Sequence, residues 1–267
     1  METMKNTIGY AFSGGGIRGV AHLGALKALE EEGLKPDVIS GTSAGAIVGS
    51  LYSHGYKAEE ILTFVKSLQL IKVIKLGWPV KGFGSLGYLI RALRAFNADL
   101  SFDNCQCPLF ITMTNLHTGK LEVKREGDLL KSVAASCAIP MVFEPIEMED
   151  KLFVDGGVVK NLPASIIRDH CGILIGFNVM PSLEVSAEGL RSLVSVAART
   201  FEMSIWRNQD EDIAVCDHHI AIKGLDRYSL FNLSQIDEIF NTGYETAQKM
   251  LPEILSSLNI EAEGSAV

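Results

Sequence analysis

The chain has 267 residues, 47% of them hydrophobic and 21% charged, with a formal net charge of −8. That apolar content suits one large globular core and excludes a disordered or fibrous chain. The acidic balance is opposite to the basic surplus of a nucleic-acid binder, so no nucleic-acid partner is expected.

In chain order, residues 6–12 are short, apolar and partly aromatic and predict a buried strand. Three glycines follow. Val20, Leu23, Ala25, Leu26 and Leu29 then recur at helical spacing up to Gly33, which ends the helix. Residues 37–40 predict a second strand, and Gly41-Thr42-Ser43-Ala44-Gly45 leads at once into a second helix. Strand, helix, strand, helix predicts a parallel sheet with helices on its faces. Residues 58–98 read as mainly helical, broken by Gly77, Pro79, Gly82 and Gly84. Strands are expected at 109–115 and 120–125, joined by His117-Thr118-Gly119, and a short helix at 127–136. Strand pieces at 142–148 and 151–154 follow, the second running into Asp155-Gly156-Gly157. A buried strand at 172–179, a long helix over 188–213 and a strand at 218–224 come next. Ser234 with Asp237 reads as a capping box opening the last helix. No linker divides the chain, so residues 1–267 are expected to form a single domain.

Cys105, Cys107, Cys137, Cys171 and Cys216 are odd in number and irregularly spaced. This argues for reduced thiols rather than a disulfide framework. No partner at metal-site spacing accompanies Cys105 and Cys107. The amino-terminal stretch lacks a long apolar region with a cleavage site. No run of about 20 uncharged apolar residues occurs. A cytoplasmic protein, at most peripheral at a membrane, is the expectation.

Two glycine-rich turns carry the chemistry. Gly41-Thr42-Ser43-Ala44-Gly45 is a G-x-S-x-G sequence between a strand and a helix, the context in which a nucleophilic serine projects from a sharp turn. The plainer alternative is a serine that caps a helix. Gly14-Gly15-Gly16-Ile17-Arg18-Gly19 also joins strand to helix and exposes backbone N–H groups near a helix start. Such a loop holds a phosphate or an oxyanion. Its G-x-G-x-x-G pattern also fits a nucleotide-binding regulator. That reading requires an acidic residue at the end of the second strand, where this chain has its second glycine turn. Arg18 holds the loop, faces the negative end of a substrate, or is simply a solvated arginine at the helix start.

For the base there are two readings. The order Ser43, Asp155, His218 or His219 matches a Ser–Asp–His triad, although the paired histidines begin a strand. Alternatively Asp155 acts directly, carried by the turn with Gly156 and Gly157 to the edge where the glycine loops lie. An ordinary Asp-Gly hairpin turn is the structural alternative.

The combination of GGGIRG, GTSAG and DGG, in that order, resembles the patatin-like phospholipase family. The run Ala135-Ser136-Cys137-Ala138-Ile139-Pro140 is similar to its A-S-x-x-x-P block, and residues 155–163 to its D-G-G-x-x-x-N-x-P block. The resemblance implies a three-layer α/β/α sandwich with a mainly parallel central sheet. It implies a Ser–Asp dyad of Ser43 and Asp155, with Gly14, Gly15 and Gly16 as the oxyanion hole and Gly41 and Gly45 supporting the elbow. It also implies hydrolysis of phospholipid, lysophospholipid or related acyl esters with no metal or other cofactor. An acyltransferase or thioesterase would use the same dyad. The departures from the family pattern lie in residues 60–100 and the last third of the chain.

Residues 61–98 hold Lys66, Lys72, Lys75, Lys81, Arg91 and Arg94 and no acidic residue, in a chain of net charge −8. With Trp78 and many aliphatic residues, this is the composition of a helical cap that meets anionic lipid. A peripheral helical pair with solvated lysines is the alternative.

Overall fold

A computed structural model describes residues 7–68, 85–181, 193–225, 228 and 235–258. The centre is a mixed sheet in the order β5-β6-β3-β2-β1-β7-β8, with β4 also paired to β3. The strands are β1 (Ile8–Phe12), β2 (Val38–Gly41), β3 (Leu109–Asn115), β4 (Leu121–Lys124), β5 (Ile146–Met148), β6 (Lys151–Asp155), β7 (Ile173–Asn178) and β8 (His218–Ala221). Strands β1, β2, β3, β7 and β8 run parallel; β4 and β6 each pair antiparallel with β3, and β5 pairs antiparallel with β6.

Side chains alternate across this sheet as the pleat requires. Ile8, Tyr10, Phe12, Ile39, Ile111, Met113, Ile175 and Phe177 face one large apolar core. Ala11, Val38, Phe110 and Leu174 face a smaller one on the other side. The first core is covered by α1 (Val20–Glu31), α2 (Ala44–Ser53), α3 (Ala58–Ser67), α4 (Gly87–Phe96), α5 (Leu129–Ser136) and α8 (Ile236–Ser257). The second is covered by Leu162, Ala164 and Ile167 and by residues of and after α7 (Asp210–Ala214), which follows α6 (Leu193–Arg207). The result is a three-layer α/β/α arrangement. Helices α1 and α8 cross closely: a Cβ on Gly24 would overlap the carbonyl of Phe240, and one on Gly243 the carbonyl of Ala21.

Several sequence expectations need correction. The strand expected over 142–148 is confined to Ile146–Met148, after a turn in which Met141 has φ 68°. The long helix over 188–213 is two helices, broken at Asn208 and Gln209; residues 188–192 lie outside the described ones. Gln209 Nε2 donates to the carbonyl of Met180 (3.3 Å), and Asn208 Nδ2 to that of Gly157 (2.9 Å), so tertiary hydrogen bonds override the helical periodicity. The last helix begins at Ile236 with Gln235 at its N-cap and no side-chain cap; Ser234 lies outside the described residues. Of the segment 58–98, α3 and α4 are described and both pack into the main core, whereas the breaks expected at Gly77, Pro79, Gly82 and Gly84 lie outside.

The pairing of β3 positions the site. Ile111 pairs with both Gly41 of β2 and Lys124 of β4, and Met113 pairs with both Glu122 of β4 and Asp155 of β6. A strand has only two hydrogen-bonding edges, so β2 and β6 share the edge opposite β4. They run toward each other and meet head to head beside Thr112.

Candidate active site

Strand β2 ends at Gly41, and the chain turns at once into α2 through Ser43 at φ 54°, ψ −119°. A non-glycine residue held there is strained, a condition concentrated at functional sites. Tight packing enforces the turn: a Cβ on Gly41 would strike the carbonyl of Gly45, and one on Gly45 the carbonyl of Phe12. Ser43 N–H donates to Ser136 Oγ (2.7 Å), and Cys137 Sγ donates to Ser43 O (3.3 Å). The block at 135–140 therefore clamps the elbow from the end of α5. Thr42 Oγ1 and Thr112 Oγ1 lie 2.6 Å apart, spanning the gap between β2 and β6.

Asp155 enters that gap from the opposite direction. Strand β6 runs antiparallel to β3, so Asp155 is level with Met113 and meets the end of β2, where the glycine turns lie. Its carboxylate accepts the N–H of Gly157 (2.8 Å) and faces the Ser43 side chain. Burial pushes its pKa up from 3.8 to about 6, and the Ser43 side chain and the Gly157 N–H pull against that rise. Ser43 is 5% exposed and Asp155 4%. Gly156 lies against the carbonyl of Thr112, where a Cβ would come within 2.6 Å.

The glycine loop lies beside the serine. Gly14 N–H is taken by the carbonyl of Asn161 (3.1 Å), so this amide is not free for an oxyanion, contrary to the expectation for Gly14. The amides of Gly15 and Gly16 make no hydrogen bond within the described residues, and Gly16 has φ 56°. Arg18 is buried; its guanidinium donates to Met180 Sδ (3.0 Å) and to the carbonyl of Tyr228 (3.3 Å), which makes it a strut of the loop.

The histidines stand apart. His218 opens β8 opposite Ile175, with Nε2 2.8 Å from Ser257 Oγ. It and His219 are three strands removed from β2, at the amino-terminal end of β8, so the Ser–Asp–His alternative fails on geometry. His22 sits beneath the loop with Nε2 2.9 Å from the carbonyl of Ser13, and burial lowers its pKa to about 4. All five cysteines are free thiols. Among the described residues no group of three or more His, Cys, Asp or Glu is arranged to hold a metal.

Ser43 opens into an apolar cavity of about 130 Å³. Leu23 of α1, Val48 of α2, Val65 of α3, Leu89 of α4 and Phe143 line it.

A sequence model of the family described as "Patatin-like phospholipase" matches residues 10–167. The chain belongs to the patatin-like phospholipase family. The match takes in the glycine loop, the Ser43 elbow and the Asp155 turn, and the chemistry of the family's class is lipid ester hydrolysis. The human "Patatin-like phospholipase domain-containing protein 6" is 32% identical over 171 residues, covering 61% of this chain and 12% of that protein. "Lysophospholipase NTE1" of Saccharomyces cerevisiae is 30% identical over 167 residues, covering 60% of this chain and 10% of that protein. The chain thus spans a small part of both relatives. Among solved structures, VipD from Legionella pneumophila shares the fold with a TM-score of 0.63 at 15% identity, over 93% of this chain and 67% of that one.

Sequence reasoning missed Ser136 as the acceptor of the Ser43 amide, and the roles of Asn161 and Asn208. Ser136 and Asn161 both stand inside recognisable blocks, but nothing local in the sequence says what their side chains touch.

Proposed function

We propose that this chain hydrolyses carboxylic esters of lipids by a Ser43–Asp155 dyad through an acyl-enzyme. The observation that carries the proposal is a strained serine, facing a buried carboxylate, that opens onto an apolar cavity. Ser43 Oγ attacks the ester carbonyl carbon as its proton passes to Asp155. The oxyanion is held by the Gly15 and Gly16 amides, helped by the amino end of α2. Collapse of the tetrahedral intermediate breaks the ester C–O bond, and Asp155 returns the proton to the leaving alkoxide. Water then attacks the acyl-enzyme, giving its proton to Asp155, and Ser43 is regenerated with release of the fatty acid. A carboxyl with pKa about 6 is a better base at neutral pH than an ordinary one.

The cavity suits the acyl chain, and the lysophospholipase name of the yeast relative supports lysophospholipid as a substrate class. The proposal extends to a lipid surface for the basic stretch 61–98, in which Arg91 and Arg94 of α4 are exposed.

The test is a fluorophosphonate probe together with p-nitrophenyl esters, phospholipid and lysophospholipid, on wild type, Ser43→Ala and Asp155→Asn. Covalent labelling should vanish in Ser43→Ala. Turnover should fall at least about a thousandfold in both variants, as when members of a catalytic unit are removed. Full activity in Asp155→Asn would remove the base assignment. Adding thiol or alcohol acceptors separates hydrolysis from acyl transfer.

A further inference from the structure

Of the buried side-chain polar atoms that lack a hydrogen-bond partner among the described residues, the Nδ2 of Asn161 lies beside both the glycine loop and the Asp155 turn. Asn161 itself is 2% exposed. A buried NH2 with no acceptor is costly and rare in native structures. The rest of Asn161 is firmly held: its N–H donates to Asn208 Oδ1 (3.0 Å), and its carbonyl accepts Gly14 N–H (3.1 Å).

The carboxamide head lies between the two halves of the site. A Cβ built on Gly14 would be 2.5 Å from Asn161 Oδ1 and 3.0 Å from Ser43 Cβ. One built on Gly157 would be 2.9 Å from the same oxygen and 3.1 Å from Asp155 Oδ1. Two oxygen acceptors therefore face one small space. A half-turn about χ2 exchanges Oδ1 and Nδ2 within the same volume and brings donors where an acceptor now stands.

We infer that Asn161 is a positioning residue of the dyad, which turns its NH2 onto the Asp155 carboxylate when that group ionises and holds it toward Ser43. The inference rests on Asp155 being the base. The Gly157 N–H already donates to the carboxylate, and the NH2 of Asn161 would add a second donor from the same turn. From the elbow comes the Ser43 hydroxyl, from the end of α5 the buried Cys137 thiol, and from β3 the hydroxyl of Thr114, which donates to the Asp155 main-chain carbonyl (3.0 Å). No charged side chain among the described residues shifts Asp155. A donor supplied by Asn161 would favour the ionised form, so its loss raises the pH at which the base becomes competent.

The test is the pH dependence of fluorophosphonate labelling of Ser43 in the whole chain. In Asn161→Leu, similar in shape but without donors, the acid limb is expected to move up by about one pH unit. In Asn161→Asp, which adds a second acid beside Asp155, it should move further. Asn208→Ala is the structural control: it loosens the same segment and should lower the rate without moving the limb. An acid limb in folded Asn161→Leu that superimposes on wild type overturns the inference. If the leucine variant does not fold, Asn161→Ala, which also removes the donors without adding charge, decides in the same way. Asp155→Asn is run alongside; if it labels at the wild-type rate, the dyad reading fails and this inference with it. If Asp155→Asn is inert while the Asn161 variants keep the wild-type limb, only the role of Asn161 is lost.

Discussion

Asp155 is asked to be buried and charged at once, and the two demands conflict. Its pKa in the folded chain, about 6, lies above the ordinary 3.8, so the native state binds the proton more tightly than the unfolded chain does. The associated stability is present in full below pH 3.8 and is lost as pH rises through about 6. Above that, holding the carboxylate charged costs on the order of 3 kcal/mol. Under the proposed mechanism activity runs the other way, because only the ionised form would accept the serine proton. Two outcomes are expected together: kcat/KM rises with an acid limb near pH 6, and Asp155→Asn melts several degrees above wild type at pH 8 but not at pH 4. A pH–rate profile and thermal melts of the two proteins check them. An acid limb near 4 would show that burial does not tune this carboxyl. At this scale much was readable in the sequence. Ser43 and Asp155 each stand in a glycine-marked turn whose chemistry is local. The commitment of the Gly14 amide to Asn161 was not readable, because it depends on a contact across 147 positions of chain.

Among the elements, α1, α2, α3 and α4 each bring apolar side chains to the cavity beside Ser43, so its shape is a packing property. Val48 lies on α2 one helical turn and a residue beyond the elbow, on the cavity wall. Val48→Phe should fill space that an acyl chain would otherwise use, at a modest stability change because the void receives the ring. Turnover of long-chain p-nitrophenyl esters should fall about tenfold or more, the loss of a few buried methylenes, while the acetate ester is little affected. Equal losses at every chain length would place the acyl chain elsewhere. The strands and their order of appearance followed from apolar runs and turn residues. The split of 193–214 into two helices did not, since Asn208 and Gln209 are tolerable helix residues whose side chains are claimed by Gly157 and Met180.

On the scale of the molecule, charge is unevenly distributed. Residues 61–98 are wholly basic in their ionised groups while the chain carries −8. No described helix is long and apolar enough to cross a membrane. Co-sedimentation with liposomes is expected to increase with anionic lipid content and to weaken in Arg91→Glu and Arg94→Glu. Binding indifferent to both would remove the lipid-surface proposal. Composition revealed this asymmetry, and strand–helix alternation revealed the layered sheet. What no pattern revealed is that β2 and β6 occupy one edge of β3 from opposite ends, because pairings between distant strands, such as Gly41 with Ile111 and Met113 with Asp155, leave no periodic trace.

That head-to-head meeting has a consequence in time. During synthesis the elbow at 43 leaves the ribosome long before residue 155 exists. Under the proposed mechanism, a nascent chain carries a nucleophile with nothing to take its proton. Hydrolytic competence arrives only when the later strand slides in beside the earlier one, so half-made copies are harmless to the lipids around them.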